Sequence, residues 1–95
     1  MKQYLTPDQT AKLIELGFDE PISIVECMLP EGKEGYRVTY SIGELIEMLN
    51  SVSELEIIRF GSGWEVGDDL RAFKGEELID ALYDMLVQLK EKGVI

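Results

Sequence analysis

ELIDALYDMLVQLKEKGVI, residues 77–95, is the stretch that decides the fold. Leu78, Ile79, Leu82, Met85, Leu86 and Leu89 recur at the spacing that lines up one stripe of an α-helix. Ala81, Tyr83 and Val87 widen that stripe, leaving Glu77, Asp80, Asp84, Gln88 and Glu91 as a polar strip. The spacing predicts a helix from Glu76 to about Lys92, stopped by Gly93. Lys90 and Lys92 fall in its last turn, where they complement the negative end of the helix dipole. An apolar face this wide predicts a helix that is either sandwiched inside the domain or shared with a second copy, as a homodimer through the C-terminal helix.

Upstream lie two strand pairs. ISIVECML (22–29) is apolar and rich in β-branched residues. It sets Ile22, Ile24, Glu26 and Met28 on one face and Ser23, Val25, Cys27 and Leu29 on the other. PEGKEG (30–35) is turn chemistry, and YRVTY (36–40) alternates Tyr36, Val38 and Tyr40 against Arg37 and Thr39. LEIIRF (55–60), a Gly61-Ser62-Gly63 turn and a strand from Trp64 to about Leu70 make the second pair. Thr6-Pro7-Asp8-Gln9 and Ser41-Ile42-Gly43-Glu44 each read as a capping box, so shorter helices start there. In the first of them Ala11, Leu13, Ile14 and Phe18 supply the apolar contacts. The order α-β-β-α-β-β-α predicts one α+β domain, residues 1–95. Its two hairpins would form a four-stranded antiparallel sheet, with helices packed mainly on one face.

GELIEML (43–49) and EELIDAL (76–82) look like a repeat, but solenoids need about three or more stacked units. They read instead as two helix starts with acids in the first turn, where the dipole favours them. Only the first has a full capping box; the second has Lys74 or Gly75 to cap it.

Charge narrows the function. Nineteen acids against nine bases give a net −10. Residues 44–84 hold eleven of those acids and three of the bases. Phosphate backbones bind through Lys and Arg, so direct nucleic-acid binding is not expected. The acids serve solubility, or they form a docking face for a basic protein partner. Glu44, Glu47, Glu77, Asp80 and Asp84, with Tyr83 and Val87, are the candidate interaction surface. No apolar run approaches the ~20 residues of a membrane span. The opening MKQYLTPDQT has no secretion-signal pattern, and one cysteine forms no internal disulfide, which together predict a cytoplasmic protein.

Candidate chemistry is sparse. The chain has no histidine, which removes the commonest general base and zinc ligand. Cys27, without an activating base, reads as a small buried hydrophobe. Glu65, Asp68 and Asp69 do not follow the spacing of a calcium loop. Gly61-Ser62-Gly63 leads into a strand rather than a helix, so it reads as a turn and not a phosphate cradle. Tyr36, Tyr40, Phe60 and Trp64 are expected in the core or an interface. No catalytic, cofactor or metal-binding residue is assigned, and the chain is read as a non-enzyme.

YLTPDQTAKLIELGFDEP (4–21), YSIGELIEML (40–49), GWEV (63–66) and ELIDALYDMLVQLKEKGVI (77–95) together resemble a family of small uncharacterised proteins of Bacteroidales genomes, often associated with phages or other mobile elements. The resemblance implies a cytoplasmic accessory protein of a mobile element and transfers no residue role. The leading expectation is a small acidic interaction module. The second is an acidic mimic of nucleic acid that inhibits a host or defence protein, and a carboxylate-only enzyme is the third.

Overall fold

Eight elements form along residues 1–95, all of which the computed structural model describes. They are α1 (Pro7–Glu15), β1 (Ser23–Met28), β2 (Glu34–Thr39), α2 (Ile42–Asn50), β3 (Glu56–Phe60), β4 (Gly63–Gly67), β5 (Ala72–Gly75) and α3 (Leu78–Glu91). The fold is α+β, with no helix long and apolar enough to cross a membrane.

Both expected capping boxes form. The Thr6 hydroxyl accepts from the Gln9 amide at 3.2 Å while the Gln9 side chain accepts from the Thr6 amide at 3.0 Å. Ser41 and Glu44 exchange the same pair of bonds. The third helix departs from expectation: it starts at Leu78, with Glu77 at its N-cap and no side-chain cap bond. Glu77 instead accepts from the backbone amide of Lys2 at 2.9 Å.

The expected four-stranded sheet does not form. The strands divide into a two-stranded ribbon, β1-β2, and a separate sheet ordered β3-β4-β5, both antiparallel. The expected fourth strand stops at Gly67 because Asp68 turns the chain, its carboxylate accepting from the amides of Leu70 and Arg71. Residues 72–75 then return along β4 as a fifth strand. Alternation shows which side chains share a face but not which edges pair. Here β5 takes one edge of β4, and the outer edge of β3 is left without a strand partner. Gly67 makes this return possible, since a Cβ there would lie 2.0 Å from the carbonyl oxygen of Arg71.

α3 is the centre of the core. It packs against α2 on one side and against β4 and β5 on the other. Leu78, Ile79, Ala81, Leu82, Met85, Leu86 and Leu89 are buried by these neighbours within the single chain. Leu45 and Leu49 of α2, Val66 of β4, Leu13 of α1, Leu5 and Tyr40 complete the cluster. In α1 the expected contacts Ala11 and Ile14 are exposed and Thr10 is buried instead, because only one narrow face of that short helix meets the core.

The N-terminal segment is an unanticipated strap. Tyr4 forms an isolated bridge with Ser41, and the Leu5 amide donates to the Tyr40 carbonyl at 3.1 Å. The buried Thr39 hydroxyl donates to the Leu5 carbonyl at 3.0 Å, so its remaining capacity is to accept from Thr10 at 2.7 Å. Arg37 donates to the same Leu5 carbonyl at 2.8 Å.

The ribbon stands clear of all this. β1 and β2 pack mainly on each other, and no residue of β1 belongs to the core cluster or to the shell packed against it. The radius of gyration is accordingly 13.9 Å, against about 12.4 Å for a globular chain of this length.

Truncating the α3 stripe, as in Leu82→Ala or Leu86→Ala, is expected to cost about 2–5 kcal/mol in urea unfolding, whereas Ile24→Thr on the ribbon should cost no more than about 0.5 kcal/mol. Thr39→Val should cost about 1–3 kcal/mol, because it strands the Thr10 hydroxyl and removes a donor from the Leu5 carbonyl.

Candidate interaction surface

The acids singled out from the sequence fall into two groups with different neighbours. Glu44 is tied down: it accepts from the Ser41 and Ile22 amides, each at 3.0 Å, and from the Ser23 hydroxyl. It thereby clips the start of β1 to the start of α2. Glu47 is exposed beside Glu44 in a depression that Asp19, Glu20 and Ile22 also line. The other group lies on α3. Asp80 accepts from the Lys2 ammonium at 2.8 Å and from the Gln9 side chain at 2.9 Å, and with Glu77 it anchors the strap.

Asp84 is exposed, and Tyr83 and Val87 are half-buried against the core. Partial burial, then the neighbouring Asp80, holds the Asp84 carboxyl above its ordinary value. Burial, then Asp84 and Glu91, raises the Tyr83 phenol. Asp68 is also committed within the chain, through its turn bonds and an ion pair with Arg71 at 3.1 Å. Four acids of the 44–84 stretch are thus internal acceptors.

Cys27 is half-buried rather than buried, because the inner face of the ribbon is only partly covered, most fully at its Thr39 end. Gly61-Ser62 forms the β3–β4 turn, with Gly61 at φ 58. Of the four aromatics, Tyr40 is buried and Trp64 half-buried under the Arg59 guanidinium at 4.8 Å. Tyr36 and Phe60 are exposed. The alternation that grouped Tyr40 with Tyr36 ends with β2 at Thr39, so Tyr40 is free to turn inward.

The surface the sequence reading passed over is the outer face of the ribbon. Register pairs Ile24 with Val38, Glu26 with Tyr36 and Met28 with Glu34 across the two strands, so all six share one side. Ile22, Ile24, Met28, Tyr36 and Val38 are 81, 68, 67, 70 and 51% exposed. Isolated exposed apolar residues are ordinary, but a contiguous face of them is the usual mark of a contact surface. The signal in the sequence was a strand apolar on both faces, of which a two-stranded ribbon can cover only one.

A second, smaller patch exists at the edge strand β3, whose Ile58 and Phe60 are exposed because α3 covers β4 and β5 only. Lys74 partly covers it, its ammonium 4.7 Å from the Phe60 ring. No protein-family model, curated protein or solved structure matches the chain.

The clipped acids make stability depend on pH. For Glu44 and Asp80 burial alone would raise the carboxyl, but the hydrogen bonds together outweigh it and hold both below their ordinary values of 4.5 and 3.8. A depressed folded value means a stabilising contribution that is complete above the ordinary value and lost as pH falls through the folded one. Asp84 acts in the opposite sense, its penalty easing as it protonates. The urea midpoint should therefore drop between about pH 5 and about pH 3. Glu44→Gln and Asp80→Asn should lower the midpoint at neutral pH and flatten that drop; an unchanged profile would refute the assignment.

Proposed function

We propose that this chain is a non-enzymatic protein-interaction module that docks through the outer face of the β1–β2 ribbon. The observation that supports this reading is the contiguous exposed apolar face on an element that adds almost nothing to the core. Stability rests on α3 and its neighbours, which leaves the ribbon free to be shaped for contact. The absence of histidine and of any activated nucleophile in the sequence fits a binding role better than a catalytic one. A half-buried free thiol suits a reducing cytoplasm, and the family resemblance suits an accessory protein of a mobile element. The reading of the chain as a nucleic-acid mimic draws less support, since four of its acids already serve as acceptors inside the fold.

Affinity capture from the organism that encodes the chain tests this reading when wild type is compared with Ile24→Thr/Val38→Thr. Threonine keeps the β-branched strand preference and removes apolar surface. A specific protein should be recovered with wild type and fall at least about tenfold with the double variant, at a melting temperature lowered by no more than about 8 °C. Equal recovery from both would remove the ribbon as the docking face.

A further inference from the structure

Resting on that docking face, we infer that its occupant is a partner protein presenting large apolar side chains beside a lysine or arginine, with the cation seated between Glu26, Glu34 and the Tyr36 ring. These three residues, with Cys27 and Gly35, line an open groove of about 360 Å³ on the ribbon. Glu26 and Glu34 are diagonal neighbours on the outer face, at the roughly 7–8 Å spacing of antiparallel strands. A guanidinium or ammonium fits between two carboxylates so spaced, and the face of an exposed tyrosine adds a cation–π contact.

Nothing within the chain fills this role. The ion pairs of the fold are Lys2–Asp80 and Arg71–Asp68, so neither Glu26 nor Glu34 has a cationic partner. The nearest arginine in the ribbon, Arg37, is on the opposite face with its guanidinium on the Leu5 carbonyl. At the other end of the face, Ile22 adjoins Asp19, Glu20, Glu44 and Glu47. The apolar surface is therefore flanked by carboxylates at both ends.

That charge pattern separates the candidate occupants. A second copy aligned on the same face would set an acidic end of one ribbon against an acidic end of the other, between two chains that each carry −10. Like charges brought together during desolvation oppose such a dimer. A basic-rimmed apolar partner meets attraction at the same positions and is steered toward them from a distance.

A yeast-displayed library of random peptides, selected against the full-length chain, supplies the probe. Selected peptides should be enriched in large apolar residues next to Lys or Arg. Their affinity should fall about tenfold with Ile24→Thr/Val38→Thr and about tenfold with Glu26→Lys/Glu34→Lys, and should weaken as salt rises. Glu54→Lys/Glu91→Lys makes the same change in net charge at exposed sites outside the ribbon and should leave affinity within about twofold. Circular dichroism confirms that each variant keeps its fold. Peptides that need Ile24 and Val38 but carry no basic residue would overturn the basic partner and leave the docking face standing. Peptides indifferent to Ile24 and Val38, or no enrichment at all, would overturn both. A dimer in light scattering that dissociates on Ile24→Thr/Val38→Thr would instead make the second copy the occupant.

Discussion

Burial of a single helical stripe is the constraint on which the other elements depend. Leu78, Ile79, Leu82, Met85, Leu86 and Leu89 cannot all face one neighbour, because together with Ala81 they occupy too wide an arc of α3. The chain resolves this by placing α2 on one flank and the β4–β5 pair on the other. A small domain has few ways to cover so much apolar surface, and this arrangement draws on all three helices, β4 and the N-terminal strap to do so. The half-buried Trp64, Phe73, Ile46 and Met48 finish the enclosure.

Polar ties then position the parts that burial does not reach. The strap of residues 2–5 is held by Tyr40 and Ser41 along one side and by Glu77 and Asp80 at the head of α3. Thr39 and Thr10 close the junction where the ribbon leaves the core. Glu44 fastens the start of β1 to α2. Such bonds contribute modestly to net stability, typically about 1 kcal/mol each, but a buried hydroxyl left alone costs more. They fix where the ribbon emerges without burying its outer face.

This division of labour bears on function. The ribbon can change its outer residues at little cost to folding, since it shares almost no apolar contacts with the core. The residues that hold the fold and the residues exposed on the ribbon are therefore largely different sets. The acids likewise divide: Glu44, Asp68, Glu77 and Asp80 are structural acceptors, while Glu26 and Glu34 make no ion pair and lie beside exposed apolar side chains. Lone charges next to apolar anchors give specificity and association rate rather than large affinity.

Local chemistry was legible in the sequence. Thr6 and Ser41 marked helix starts through their own hydroxyls, the α3 stripe followed from a period of 3.6, and the strand faces of residues 22–29 followed from alternation. These are determined within a few residues by bonds and rotations the neighbours impose. Tertiary structure alone decided the rest: that β5 rather than the first hairpin borders β4, that Glu77 and Asp80 hold the N-terminal strap, and that one apolar face of the ribbon stays uncovered. Which edges pair and which faces are covered depends on competition between segments far apart in the chain. No local pattern records the outcome of that competition, because an apolar strand face is spelled the same whether the chain itself or a partner covers it.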